Sequence, residues 1–297
     1  MLSATSSLSF QPSTSSSRGG RGSVSLAIVH GLQLILSGRG RLYGDVGQDG
    51  GPHPAPPVSV RVVVERVAGV VVVTGAAGRI GRAVLPLLPH AWKVQATDLV
   101  GGSGVAPLDV TDHQTCASLF TGADAVVHLA AVPDPEADWD LLLPANVMGT
   151  HAVAQAAMDA GVRRLVLASS LQAVSAVPTG TQLRTEDPPR PANLYGATKA
   201  WAEALGSWVA FTSTTTVVAL RIGNFQVERP DPDTTSPRDR AAWLSPRDAA
   251  ELVRSAVEAD VRGVVVGNGI SANRYRQADL EDTISTLGYR PSDDAWA

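Results

Sequence analysis

From about residue 69 onward, short runs of β-branched and other apolar residues alternate with segments of helix length. The runs predict strands at 69–74, 92–97, 105–109, 124–129, 163–169, 215–221 and 263–267. Strands that alternate with helices in this way are typical of a parallel sheet. The pattern therefore predicts an α/β fold with a doubly wound parallel sheet.

Three further stretches are irregular and rich in proline, glycine and arginine. They span residues 171–190, 222–246 and 268–297. In a parallel α/β fold, ligands bind beyond the carboxyl ends of the strands. We expect the irregular stretches to form a substrate-binding part at that edge, with residues 69–221 and 247–267 forming most of a cofactor-binding part.

The first 57 residues have a different composition from the rest of the chain. Met1–Gly44 contains eleven serines and no acidic residue, and Gly50–Pro57 has the composition of a linker. Three interpretations stay open: a disordered tail, a plastid transit peptide, or a start site assigned too far upstream. Residues 58–297 are predicted to form one domain, cytoplasmic unless residues 1–57 direct it to a plastid.

Overall composition excludes several classes of partner. The chain has 297 residues, a net charge of −4 and no basic cluster, so nucleic acid is not expected as a partner. The apolar stretch Ser25–Ser37 is too short and too polar to span a membrane. Cys116 is the only cysteine, and the six histidines lack ligand spacing, so no metal site is predicted. His128 is expected to be a hydrogen-bonded core residue.

A glycine-rich turn follows the first strand of the predicted domain and leads into a helix-like segment. Gly75 permits a tight turn, Gly78 lets the backbone approach a pyrophosphate, and Gly81 allows the helix to pack closely on the strand. The next strand ends at Asp98, 23 residues after Gly75. A carboxylate there can bind both ribose hydroxyls and repels a 2′-phosphate, which favours NAD over NADP. Arg79, in the turn, argues mildly for NADP.

Lysine occurs at only two positions, Lys93 and Lys199, and Lys199 follows Tyr195 by four residues. On a helix this spacing places both side chains on one face. Lowering a phenol pKa from about 10 to neutrality requires roughly 4 kcal/mol. A cation about 6 Å away supplies roughly 2 to 3 kcal/mol at an effective dielectric near 20. Tyr195 could therefore act as a base if Lys199 and a second positive charge lie beside it.

These residues together resemble the extended short-chain dehydrogenase/reductase family, from about Gly69 to the carboxyl terminus. The motifs that carry the resemblance are Thr74–Gly81, Leu108–Val110, His128–Ala131, Asn146–Thr150 and Ser169–Ser170. The resemblance implies a Rossmann fold, an NAD cofactor and a catalytic triad of Ser170, Tyr195 and Lys199. In such a triad the tyrosine exchanges a proton with the substrate oxygen, the serine holds that oxygen, and the lysine lowers the tyrosine pKa and binds the nicotinamide ribose. The oxidised nicotinamide would be the second positive charge.

The cofactor-binding residues implied by the resemblance come from several strand ends and loops. They are Gly75, Ala77, Gly78, Arg79, Ile80, Asp98, Asp109, Val110, Leu129, Ala130, Ala131, Asn146, Tyr195, Lys199 and Ile222.

Only 98 residues follow Lys199, which favours a small substrate over a nucleotide-linked sugar. The carboxyl-terminal third resembles uronate dehydrogenases, and Arg238 falls where that family binds the substrate carboxylate. A guanidinium suits this role because it can donate two parallel hydrogen bonds. Gln172 and Asn224 depart from that family's residues at the substrate site. The sequence therefore predicts a dehydrogenase of a small sugar-like alcohol, with a uronate as the specific hypothesis.

Two other functions stay open. An NAD-dependent sugar epimerase or dehydratase would recycle its hydride internally, and a non-catalytic dinucleotide sensor would bind the cofactor without turnover. The resemblance also implies a possible homodimer, because the helices that follow the fourth and fifth strands often pair between subunits in this family.

Overall fold

A computed structural model describes residues 33–35, 63–65, 69–178 and 180–297. The chain divides into two compact units, Met1–Glu65 and Arg66–Ala297. In the first unit, strand β1 (Gln33–Ile35) pairs antiparallel with strand β2 (Val63–Glu65). The sequence analysis predicted neither strand. Apart from residues 33–35, the interpretations of the first 57 residues lie outside the described part of the chain.

The second unit contains the predicted parallel sheet. The strands of this unit are β3 (Val70–Thr74), β4 (Lys93–Asp98), β5 (Ala106–Pro107), β6 (Ala125–His128), β7 (Arg164–Ser170), β8 (Thr216–Ile222), β9 (Asn224–Phe225), β10 (Trp243–Leu244) and β11 (Val264–Gly269). Seven of them form one sheet in the order β11-β8-β7-β6-β3-β4-β5, and every neighbouring pair is parallel. The α/β fold is confirmed, and only the strand predicted at 105–109 is markedly shorter.

The helices of this unit pack on both faces of the sheet. They are α1 (Arg79–Val84), α2 (His113–Phe120), α3 (Trp139–Leu142), α4 (Thr150–Asp159), α5 (Leu194–Thr212), α6 (Pro237–Ala241), α7 (Pro246–Glu258) and α8 (Glu281–Leu287). Successive strand residues point to opposite faces, so Val71 and Val73 enter one apolar cluster and Val72 enters the other. This two-sided burial explains why the strands read as continuous apolar runs.

Strand order reverses beside β3, because the chain passes from β3 to β4 and β5 on one side and to β6 on the other. Crevices at such a switch point are the usual ligand sites of open α/β sheets. The irregular carboxyl-terminal segments gather near β8: β9 pairs with β10, and Leu183 bridges to Ala278. Buried Asp248 accepts hydrogen bonds from the backbone N–H groups of Ser292 and Asp293, which fixes the last residues of the chain.

Within the described residues, no helix combines the length and the apolar character needed to cross a lipid bilayer.

Candidate active site

A cleft of about 1040 Å3 lies at the switch point. The glycine turn forms one wall, and the segments that follow β4, β5 and β6 form the others. Nine of the predicted cofactor residues line it: Gly75, Ala77, Gly78, Asp98, Asp109, Val110, Leu129, Ala130 and Ala131. The position and the volume of this cleft suit a dinucleotide.

The glycine turn fits a dinucleotide in detail. Gly75 has a φ of +70°, and a Cβ there would lie 2.4 Å from the backbone nitrogen of Ala130. A Cβ at Gly81 would lie 2.5 Å from the carbonyl oxygen of Ala76, so only glycine allows α1 to pack this closely. Gly78 is the N-cap residue of α1 and has no side chain that could bind the first-turn N–H groups, so these groups are available to a phosphate.

Asp98 has a structural role that the sequence did not indicate. Its Oδ2 accepts a hydrogen bond from the Ala77 N–H at 2.9 Å, and its Oδ1 accepts one from the Leu99 N–H at 2.7 Å. The carboxylate therefore braces the glycine turn. Each oxygen keeps acceptor capacity for a ribose hydroxyl, and the negative charge still opposes a 2′-phosphate.

A second cavity, of about 770 Å3, adjoins the cleft, since Leu129 and Ala131 line both. All three residues of the predicted triad and all three predicted substrate residues lie on its wall. Besides Leu129 and Ala131, the predicted residues that line it are Arg79, Ile80, Ser170, Gln172, Tyr195, Lys199, Ile222, Asn224 and Arg238. The triad therefore stands where a dinucleotide and a small substrate would meet.

Local geometry brings the three triad side chains together. The side chain of Asn193 caps α5 by accepting a hydrogen bond from the Gly196 N–H at 2.7 Å, so the helix begins just before Tyr195. The Nζ of Lys199 lies 5.5 Å from the centre of the Tyr195 ring. Ser170 ends β7, and its hydroxyl donates to the Ile222 carbonyl oxygen at 3.4 Å.

Burial controls the ionisation of this group. It raises the pKa of the Tyr195 phenol, and the Ser170 hydroxyl and the Arg79 guanidinium oppose that rise only in part. Burial also lowers the pKa of Lys199 to about 8. Ser170 and Arg79 therefore act on the phenol in the direction that was predicted for Lys199 and nicotinamide. The contributions of Lys199 and nicotinamide stay predictions.

Two arginines of α1, Arg79 and Arg82, line different cavities. Arg79 was predicted to favour NADP mildly, and it lines the second cavity with Tyr195, whereas Asp98 lines the cleft. Arg82, one turn later on α1, lines the cleft with Asp98 instead. Sequence reasoning did not single out Arg82. Helical periodicity could not have separated it from Arg79, because residues three apart lie on the same side of a helix.

Asn146 was predicted to bind the cofactor, but it lines neither cavity. Its side chain is buried, accepting from the Val132 N–H at 2.8 Å and donating to the Val132 carbonyl and the Thr198 hydroxyl. It lies in a π-helical turn, Leu143–Gly149. Asn146 therefore fastens the loop after β6 to α5, a role that its spacing in the sequence could not reveal.

The predicted substrate residues line the second cavity, each with a protein contact. Arg238 donates to the Ser175 carbonyl oxygen at 3.4 Å, and Asn224 donates to the Asp239 carbonyl oxygen at 3.4 Å. Gln172 accepts from the Asn193 amide at 3.2 Å. Neighbouring Arg240 is turned away, with its guanidinium 4.6 Å from the centre of the Trp296 ring. The two arginines of α6 therefore have different surroundings.

His128 lies beneath the junction of the two cavities as a buried, hydrogen-bonded residue. Its Nδ1 is 2.8 Å from the Thr74 hydroxyl, and its Nε2 is 3.3 Å from the Thr150 hydroxyl. Burial, with a contribution from Lys199, lowers the pKa of His128 to about 3. The imidazole is therefore neutral near pH 7.

Asp98→Asn should raise the affinity ratio of NADP to NAD by about tenfold or more. The amide oxygen can still accept from the Ala77 N–H, so the change removes the charge and keeps that hydrogen bond, while the bond from the Leu99 N–H is lost. Titration calorimetry with each dinucleotide measures the ratio. Arg82→Ala, which removes a positive charge from the same cleft, should lower the affinity ratio of NADP to NAD. A wild-type preference for NADP would contradict the role of Asp98.

Comparison with known proteins agrees with this geometry. An NAD-dependent glucose-6-phosphate dehydrogenase from Haloferax volcanii is 35% identical over 253 residues, which covers 76% of this chain and 94% of the relative. An L-arabinose 1-dehydrogenase (NAD(P)+) from the same organism is 35% identical over 246 residues, 76% of this chain and 97% of the relative.

A solved structure of glucuronic acid dehydrogenase from Chromohalobacter salexigens superposes with a TM-score of 0.68 and 31% identity, covering 76% of this chain and 85% of that one. Residues 71–262 match the family model described as the NAD dependent epimerase/dehydratase family. The resemblance that the sequence motifs indicated is confirmed, and the chain belongs to the NAD-dependent epimerase/dehydratase family.

Proposed function

We propose that this protein is an NAD-dependent dehydrogenase that oxidises a hydroxyl group of a small sugar carrying an anionic group. The observation that carries the proposal is the position of Ser170, Tyr195 and Lys199 on the wall of a small cavity that adjoins the dinucleotide cleft. The names of the relatives, all NAD-linked or sugar dehydrogenases, support the same reaction class.

In the proposed reaction, Tyr195 removes the proton of the substrate hydroxyl while Ser170 holds the same oxygen through a hydrogen bond. When bound in the cleft, NAD would supply the acceptor for the hydride of the carbinol carbon. Arg79 and the Ser170 hydroxyl offset part of the effect of burial on the phenol, and the Lys199 Nζ lies 5.5 Å from the centre of the phenol ring. Because oxidation needs the deprotonated phenol, its rate should rise with pH through the apparent pKa of the Tyr195–Lys199 pair.

Charge on the cavity wall supports an anionic substrate. Arg79, Lys199 and Arg238 contribute cations, whereas Asp239 is the one acidic residue among the described lining residues. The carboxylate of Asp239 already accepts a hydrogen bond from the Ser236 hydroxyl at 2.7 Å. Glucose 6-phosphate and glucuronic acid are anionic sugars, and arabinose is neutral. A uronate or a sugar phosphate is therefore favoured over a neutral aldose.

The first experiment is NADH formation with a panel of uronates, sugar phosphates and neutral aldoses. Tyr195→Phe removes only the proton-transferring hydroxyl, so turnover should fall by roughly 10² or more while NAD affinity is retained. Substrate loss without NADH release would indicate an epimerase or dehydratase. Dinucleotide binding without turnover of any substrate would indicate a sensor.

Arg238 provides the test of substrate charge. Arg238→Ala should raise the Michaelis constant for the acidic substrate strongly, because charge-assisted hydrogen bonding worth about 2 to 3 kcal/mol is lost. The Michaelis constant for a neutral sugar of the same shape should stay almost unchanged. Arg238→Lys should recover part of the loss, since an ammonium cannot form two parallel bonds. Arg240→Ala is the matched control. Equal effects on acidic and neutral sugars would contradict a carboxylate or phosphate site at Arg238.

We also propose that the protein forms a homodimer through α5. One side of this helix carries exposed apolar residues at alternating spacings of three and four, the spacing of a helix–helix seam. The members of this stripe are Leu194, Ala197, Trp201, Ala204, Trp208 and Phe211. Phe211 is 89% exposed, and exposed Met148 lies with Trp201 on the wall of a neighbouring groove. A second copy of the chain would cover this surface.

Trp208→Glu should convert the dimer to a monomer, because it places a charge in the centre of an apolar seam. Light scattering coupled to gel filtration measures the mass. Ile284→Glu replaces a side chain on α8 with the same exposed fraction of 43%, and it should leave the mass unchanged. A wild-type protein that is monomeric at all concentrations would rule the dimer out.

A further inference from the structure

Arg221, at the carboxyl end of β8, has an unusually complete set of partners. Its Nε and Nη2 each lie 2.9 Å from a carboxylate oxygen of Glu203. Nη1 also donates to the carbonyl oxygens of Arg184 and Thr185, and Nη2 donates to that of Asp187. The five N–H groups of the guanidinium therefore match five acceptors, in a site where the two side chains are 3% and 7% exposed.

Glu203 connects this cluster to the catalytic residues. It lies on α5 one turn after Lys199 and two turns after Tyr195, on the same face of the helix. Its Oε1 also accepts a hydrogen bond from the Ser169 hydroxyl at 2.5 Å, and Ser169 directly precedes Ser170. The carboxylate therefore shares a helix face with Tyr195 and Lys199 and binds the residue next to Ser170.

A glutamate in this position would ordinarily attract the lysine. Residues at i and i+4 on a helix form ion pairs readily, and burial strengthens that attraction. Yet none of the salt bridges found within the described residues involves Lys199. Arg221 and Ser169 occupy both oxygens of Glu203, and the guanidinium balances its charge.

Other ionisable groups around Tyr195 and Lys199 are few. Burial keeps His128, at the end of β6, neutral near pH 7. Arg79 of α1 and Arg238 and Asp239 of α6 reach the cavity wall. None of these groups is a hydrogen-bond partner of Arg221 or Glu203. A substitution of Arg221 or Glu203 therefore removes one charge and leaves the other ionisable groups in place.

We propose that Arg221 is a positioning residue that holds and neutralises Glu203, so that the Lys199 ammonium stays directed at Tyr195 and the cofactor. Its remaining donors tie the loop at 184–187 to the catalytic helix. The inference rests on the proposed roles of Tyr195 and Lys199 and adds a residue that touches neither substrate nor dinucleotide.

Charge makes the inference testable, because the two single variants should shift the pH dependence of the reaction in opposite directions. Arg221→Met leaves the Glu203 carboxylate uncompensated, which raises the apparent pKa of the Tyr195–Lys199 pair. Glu203→Gln leaves the guanidinium uncompensated, which lowers it. Each shift should be about one pH unit. The double variant Arg221→Met/Glu203→Met removes both charges, and its profile should return to that of the wild type.

Arg221→Lys separates charge from anchoring. It keeps the positive charge but cannot reach the three loop carbonyl oxygens, so it should lower stability and raise the Michaelis constant without moving the pH profile. A purely structural role would instead change the rates of all four variants in one direction and leave the profiles aligned.

The experiment measures kcat/KM for NADH formation against pH, with NAD affinity and urea unfolding recorded for each variant. Opposite shifts in the single variants and none in the double variant would support the proposal. Coincident profiles would overturn it. If Arg221→Met does not fold, Glu203→Gln and the double variant decide, since apolar replacement of a buried ion pair is usually tolerated. Activity that survives in Tyr195→Phe and Lys199→Met would instead overturn the proposed function itself.

Discussion

Burial of the central sheet on both faces is the constraint from which the site follows. Apolar residues of β3 enter two different clusters, so neither face of the strand is available for polar chemistry. Polar side chains can collect only where the strands end. Ser170, Asp98 and Arg221 all stand within one residue of a strand terminus, and the reversal of strand order beside β3 opens the cleft that Asp98 lines.

Much of this could be predicted from the sequence, because the relevant signals are local. The β-branched runs located all seven strands of the main sheet, and the spacing of Gly75, Gly78 and Gly81 identified the turn. The positions of Tyr195 and Lys199 follow from helical periodicity alone. Each of these inferences depends on neighbours in the chain, for which spacing is a reliable guide.

The features that the sequence did not predict depend on contacts between distant segments. Asn146 matched a motif, yet its side chain binds Val132 and Thr198 rather than facing the cleft. Arg79 and Arg82 are three residues apart and reach different cavities. No local pattern distinguishes an arginine that faces one cavity from an arginine that faces the next, because the direction is set by packing.

Helix α5 carries two surfaces at once. Tyr195, Lys199 and Glu203 follow one face, while Leu194, Trp201 and Trp208 follow another. Each residue advances a helix by about 100°, so a rotation that changed one face would displace the other by the same angle. The proposed chemistry and the proposed dimer contacts therefore share one rigid helix, and a sequence change that rotated this helix to alter the dimer contacts would also move Tyr195, Lys199 and Glu203.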